Sequence, residues 1–446
     1  MFLLAMRSIR RRPGRFAATL LSAFLGAAII MTFQAMHDTA GAAGVDDVSA
    51  ESLTVAASVV GGYGTLLVFF AVASTLTVNV RQRQEEIGLL RSTGATPAQI
   101  TRMIVGEAAV VGLVAAVLAV GPAMLGGRAL LEQFQDSGQV AGGVDYAFGP
   151  IALGSGLGVT LLASAGAAFL AVRRATKASA GVRERRGRVR NIAAWGALVV
   201  GAASVGTTFA MDPTDAAAMA PPAYGAILLA VGFALLSPAL LAGLLGWLGR
   251  PVTALFGASG YLTVHHMRRR AAELSGVLMP LIVFTGMATA TLYMQAVESD
   301  AIKAAGLTKS VEDKNLETLN LVVVGIIVVF SCVMLINSLY AATSYRRREF
   351  GQQRLAGATP GQVLATVGLE GAILTVTGVF LGSVAAVAGM VPFTAVRTDA
   401  VWPGEQGPGI WLAVVGVAAA ATLVTSLVTA RGALRAPAVE AVAVAA

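Results

Sequence analysis

The residues with most chemical potential fall in two copies of one short pattern. RQRQEEIGLLRSTGATPAQI, Arg81 to Ile100, packs charged, small and turn-forming residues between two long apolar runs. YRRREFGQQRLAGATPGQV, Tyr345 to Val363, repeats it at a constant shift of 263 residues. Glu86 thereby matches Glu349, Gly88 matches Gly351, and Arg91 matches Arg354. Gly94-Ala95-Thr96-Pro97 matches Gly357-Ala358-Thr359-Pro360, and further on Glu107 matches Glu370. These residue types suit ion pairing, helix capping and docking rather than the making or breaking of bonds.

Locally, Ile87, Leu89 and Leu90 ahead of Gly94 read as a short amphipathic helix lying along a membrane surface. Gly94 ends it, Thr96 caps the next helix and Pro97 occupies that helix's first position. The second loop repeats the design with Phe350, Leu355, Gly357, Thr359 and Pro360. A connection between spans needs only polarity, so keeping the same charged and small residues twice implies a task that both loops share.

Other candidates carry less. Glu107 and Glu370 stand one to two turns inside apolar runs, where an ionisable group is costly and therefore a functional candidate. Their placement favours pairing with loop cations such as Arg91, Arg102 or Arg354; a proton relay is the alternative. Gln34, Gln295, Asn79 and Asn337 are span polar groups of the kind that bond helix to helix, and Gln34 and Gln295 are also candidates for a substrate path. His37, His265 and His266 show no metal spacing, so no metal site is expected. Cys332, the single cysteine, lies in an apolar run and reads as a small buried hydrophobe.

No phosphate-binding G-x-x-x-x-G-K-[ST] loop is present. The nearest string, GLTKS at Gly306, lacks its Gly-Lys pair.

The elements that position these residues are membrane helices. Hydrophobic residues make up 56% of the 446 and charged residues 13%, too apolar for a soluble chain. Runs long enough to cross the bilayer fall at 15–36, 55–79, 103–126, 149–172, 192–210, 223–248, 275–296, 317–340, 363–390 and 409–430. An initial run after MFLLAMRSIRRRPGRF resembles a signal peptide but is long enough to span.

The formal charge of +8 sits in short clusters beside the apolar runs, which points to topology rather than to a nucleic-acid partner. With both termini cytoplasmic, 27 of 32 Lys and Arg fall inside, and only Arg128, Lys303, Lys309, Lys314 and Arg397 fall outside. Both repeated loops are then cytoplasmic. The basic linker Gly181 to Arg190 would contact anionic lipid. Acidic residues of the short external loops, among them Asp46, Asp47, Glu51, Glu298 and Asp300, read as a solvated rim, or else as a vestibule attracting cations.

The duplication reaches beyond the loops. Arg10 to Arg12 before span one match Arg268 to Arg270 before span seven, and VRRATKASAGV after span four resembles LRAPAVEAV after span ten. The expected layout is an all-α integral membrane protein with two parallel four-span repeats, at 1–180 and 251–446. A basic linker and spans five and six, at 181–250, join them.

The pattern E-I-G-L-L-R-x-x-G-A-T, preceded by R-Q-R and set between the second and third spans of a four-span unit, resembles FtsX-like, or MacB-type, permeases of ATP-binding cassette transporters. The resemblance implies that each loop is a coupling helix docking into a separate cytoplasmic ATPase subunit, presumed in two copies. The ATPase-coupling residues would be Glu86, Gly88, Arg91, Gly94, Ala95 and Thr96 in one half, and Glu349, Gly351, Arg354, Gly357, Ala358 and Thr359 in the other.

This chain would itself be no enzyme and bind no cofactor; ATP and Mg would belong to the partner. Gln352 and Gln353 replace Leu89 and Leu90, so the two docking contacts are expected to be unequal. The layout is similar to single-chain permeases of peptide-antibiotic resistance transporters, without their large extracellular domain. The expected function is efflux or membrane extraction of an antimicrobial peptide, antibiotic or lipid at a bacterial plasma membrane. The alternative is a transmembrane signal transmitter acting on an envelope enzyme or sensor kinase.

Overall fold

The computed structural model describes residues 13–58, 84–177, 183–211, 219–304, 346–398, 400–404 and 406–443, with single positions between 306 and 343. Among the described residues every regular element is a helix. In chain order these are α1 (Pro13–Ala40), α2 (Gln84–Ser92), α3 (Pro97–Asp136), α4 (Pro150–Lys177), α5 (Arg183–Thr207), α6 (Ala220–Arg269), α7 (Ala271–Ala304), α8 (Arg347–Leu355), α9 (Pro360–Thr398), α10 (Gly409–Leu434) and α11 (Ala438–Ala443).

Among the described residues 8 helices are long and apolar enough to cross a membrane: α1, α3 to α7, α9 and α10. They coincide with eight of the ten expected runs. The runs at 55–79 and 317–340 lie largely outside the described residues, and with them Asn79 and Asn337.

α3 and α9 are longer than their apolar runs, at 40 and 39 residues. Each rises about 60 Å at 1.5 Å per residue, about twice the hydrocarbon thickness. Both begin at the Thr-Pro of a repeated loop, so each loop feeds straight into a long helix, which carries an internal proline further on, Pro122 in α3 and Pro392 in α9. α6 departs from one rod because Gly257 sits at φ 55°, which breaks the helix and sets its last turns, with His265, His266 and Arg268, apart from the span.

The helices group into two compact units, α1 to α4 in the first and α5 to α11 in the second. In the first, Ala27 and Met31 of α1 pack on Ala116, Ala119 and Ala123 of α3, with α4 closing on both. In the second, Ala226 of α6, Ala290 and Met294 of α7, and Ala386, Met390 and Phe393 of α9 share one core. Small residues make these contacts because lipid provides no hydrophobic drive between helices, so association depends on close backbone approach. At Gly382 of α9 an added Cβ would lie 2.7 Å from the Thr285 Cβ and 2.8 Å from the Ile282 carbonyl of α7.

The ends opposite the repeated loops are tied by polar side chains. Asp38, at the end of α1, accepts from the backbone N–H groups of Gly149, Ile151 and Ala152 at 3.0, 3.1 and 2.8 Å. It thus caps α4 from a distance and meets the positive end of that helix's dipole. In the second unit Arg397 of α9 binds Glu298 of α7 through two bonds of 2.8 and 2.7 Å. Asp300 holds Lys303 at 3.3 Å and accepts from Gln406 at 3.1 Å. Of the residues read from sequence as rim or vestibule, Glu298 thus joins α7 to α9, and Asp300 ties α7 to the loop before α10.

Candidate functional site

Both repeated loops fold around the same turn. Gly94 and Gly357 adopt φ of 92° and 97°, a left-handed conformation that glycine enters without a Cβ penalty. Each glycine ends a helix whose last carbonyls are then satisfied: Ala95 N–H donates to Leu90 at 2.9 Å, and Ala358 N–H to Gln353 at 2.9 Å. Two residues on, Thr96 caps α3 by accepting from Gln99 N–H at 3.3 Å, while the Gln99 side chain accepts from Thr96 N–H at 2.9 Å. Thr359 and Gln362 repeat both bonds at the same distances. Gly, Thr, Pro and Gln in G-A-T-P-x-Q are therefore all accounted for by back-to-back helix ends.

Beyond the turn the copies diverge. In the second unit Glu349 lies at the centre of a charged cluster drawn from three stretches of chain. Its two carboxylate oxygens accept from Arg346 Nε and Nη2, both at 3.2 Å, in a side-on pair. Arg270, between α6 and α7, reaches Glu349 at 3.0 Å, and His266 of α6 lies 3.4 Å away. Arg346 also binds Glu370 of α9 and lies over the Phe350 ring, 5.2 Å from its centroid. Arg346 is 5% exposed, so the pair it forms with Glu370 is removed from water.

Burial pushes the Glu349 carboxyl up, but the hydrogen bonds and charge of Arg346, then the charges of Arg270 and His266, outweigh it and hold the group below its usual range. Burial likewise disfavours the Arg346 charge, and Glu370 and Glu349 more than compensate. Two arginines facing two carboxylates leave the cluster formally neutral when His266 is uncharged.

Two further contacts fasten α8. Phe350 is buried with Val363 and Val367 of α9 and Ala430 of α10. Arg354 donates to the carbonyls of Leu434 and Ala436, at 3.1 and 2.8 Å, satisfying the end of α10. Gly351 faces α11 so closely that an added Cβ would lie 3.0 Å from Ala441 Cβ and 3.1 Å from the Ala438 carbonyl. What α8 leaves exposed is Arg348, Gln352, Leu355, Ala356 and Gly357, followed by Thr359.

In the first unit Gly88 is exposed, and among the described residues nothing lies within 4 Å of a Cβ added there. Leu89 is 68% exposed, and Ser92, Thr93, Gly94 and Thr96 are exposed as well. Ala95 is half-buried and Ile87 is buried. The side chains of Glu86 and Arg91 lie outside the described residues. Glu107 is buried in α3, as its counterpart Glu370 is in α9.

The expected pairing of Glu370 with a loop cation is met by Arg346 rather than by Arg354, which serves α10. Arg346 stands 24 residues before Glu370, and Arg83 stands at the same spacing before Glu107. Arg354 and Arg91 also stand at one common spacing before Glu370 and Glu107, so spacing does not single out Arg346. The roles of Arg270 and Asp38 carried no sequence signal, because their partners lie far along the chain. Gln34 and Gln295 are half-buried on α1 and α7. His265 stacks on Tyr261, and His37 Nε2 lies 3.4 Å from Ser58 Oγ. Among the described residues no grouping of three or more His, Cys, Asp and Glu could hold a metal ion.

Long apolar helices in two units, each with a short capped helix feeding a long rod, define a polytopic all-α membrane protein with a duplicated loop device. A scan of protein families matches FtsX-like permease C-terminal at residues 58–180 and 321–438. The matches cover more than half of the chain, one in each repeat, and the chain belongs to the FtsX-like permease family. Members are membrane subunits of ATP-binding cassette transporters, generally not themselves catalytic, that work with cytoplasmic ATPases. A search of curated proteins found no match.

Proposed function

We propose that this chain is the permease of an exporter, and that its two repeated loops dock two ATPase subunits on the cytoplasmic face. The observation that carries this reading is the exposed turn that both loops share, G-A-T at Gly94 to Thr96 and Gly357 to Thr359, leading without interruption into α3 and α9. A partner pressing on either turn pushes the foot of a rod about 60 Å long. Leu89 supplies the apolar contact on the first docking face and Leu355 on the second, 68% and 57% exposed.

The cargo is an amphipathic or hydrophobic compound, an antimicrobial peptide, antibiotic or lipid, moved outward or extracted from the membrane of a bacterium. Both termini lie in the cytoplasm. Short loops on the far side and small-residue helix contacts suit a path within the membrane more than a grip on a partner outside it.

Introducing charge at both docking faces, Leu89→Asp with Leu355→Asp, tests this. The expected outcome is loss of ATPase co-purification and at least tenfold lower permease-stimulated ATP hydrolysis. Retention of both would sink the docking proposal.

A further inference from the structure

The second loop helix is held by more than a span connection requires, and the nature of the hold assigns roles within the motif. Both carboxylate oxygens of Glu349 are already engaged within the permease: one accepts from Arg346 Nη2 with His266 Nδ1 3.4 Å away, the other accepts from Arg346 Nε with Arg270 Nη2 3.0 Å away. Arg346 sits where the chain turns into α8, and its own carbonyl accepts from Phe350 N–H at 2.8 Å, so its backbone belongs to the start of that helix. Its guanidinium reaches both Glu349 on α8 and Glu370 on α9. Arg270 links the same Glu349 to the start of α7. The groups facing this cluster from every neighbouring element are thus His266, Arg270, Arg346, Glu349 and Glu370.

Beside the Arg346–Glu370 pair lies a cavity of about 20 Å³, bordered by Thr343, Leu374 and Ser426, enough for about one water molecule.

We infer that Arg346 is a positioning residue, a buried guanidinium that locks α8 to α9, and that Glu349, through Arg270, extends this joint to the start of α7 inside the permease instead of contacting the ATPase. Movement of α8 then reaches two spans through directional, charge-assisted bonds, which transmit displacement better than an apolar contact that slides. The same residue types recur in the sequence of the first half as Arg12, Arg83, Glu86 and Glu107. This inference rests on the proposal that α8 receives force from an ATPase.

The experiment uses the full permease–ATPase complex in proteoliposomes, with Cys332→Ser and a single reporter cysteine, Thr398→Cys, at the exposed far end of α9. Maleimide labelling rates are compared without nucleotide and after trapping with ATP and vanadate. In this background the rate is expected to change severalfold on trapping. Arg346→Met with Glu370→Met keeps the volume buried and should keep the ATPase bound while abolishing the change. Glu349→Gln, a milder substitution, should reduce the change with the ATPase still bound. Exchanging the charges, Arg346→Glu with Glu370→Arg, should restore part of it, which a merely structural loss would not.

A full labelling change in the Met pair, or release of the ATPase by Glu349→Gln at unaltered thermal midpoint, overturns the joint and leaves the docking proposal standing. An unmutated joint that shows neither bound ATPase nor any change on trapping overturns both.

Discussion

The two repeated loops share a turn and differ in what surrounds it. Gly94 and Gly357 have φ of 92° and 97°, and the Thr-Gln capping bonds agree in length. Yet among the described residues nothing comes within 4 Å of a Cβ added at Gly88, while Gly351 lies under α11. Leu89 is exposed, and its counterpart Gln352 is exposed too, but the apolar contact on the second face moves to Leu355. An identical local motif therefore presents two different faces. A short sequence can dictate how a helix ends without dictating what lies against it.

Breaking the second loop's hold should give the largest effect. Arg346→Ala leaves Glu370 buried without its partner, a loss of about 3–5 kcal/mol for this kind of change. The expected result is a clear fall in the thermal midpoint of the detergent-solubilised protein. Arg346→Met with Glu370→Met should recover most of it, since apolar replacement of a buried pair is often neutral.

Leucine placed at the two matched glycines sharpens the contrast. Gly351→Leu should cost about 1–3 kcal/mol by overpacking against α11, seen as faster hydrogen exchange over residues 438–443. Gly88→Leu, with no described residue near it, should leave both stability and exchange unchanged or slightly improved.

Where the loops agree, the effects should agree. Thr96→Ala and Thr359→Ala each remove a helix cap worth about 1 kcal/mol. Thermal midpoints that differ by more than the error between these two variants would show that the shared turn is less alike than its geometry.

The smallest effect concerns pH. The Glu349 carboxyl is held below its ordinary value of 4.5, so its ion pairs contribute stability above the unfolded value, and that contribution is lost as pH falls through the lower folded value. Between pH 6 and pH 3 the wild-type midpoint should fall more steeply than that of Glu349→Gln. Parallel curves would argue against the cluster.

Much of this was legible in advance for a physical reason. Hydropathy runs located eight described spans because crossing hydrocarbon demands a long apolar helix. Gly94, Thr96, Pro97 and their counterparts announced the turn because caps are made with residues three or four positions away. Glu370 was recognisable as an ionisable group needing a partner, but choosing among several loop arginines was beyond pattern reading. Asp38, which caps α4 from a residue 111 positions before Gly149, was not recognisable at all.

By itself the sequence determined the duplication, the helical membrane architecture and the chemistry of the repeated turn, since each follows from composition or from residues within a few positions of one another. Only the tertiary structure decided that Arg346 holds Glu349 and Glu370, that Arg354 closes the end of α10, and that α11 covers Gly351. Those outcomes depend on distant segments brought together by packing, and two copies of one motif in different surroundings need not acquire the same neighbours.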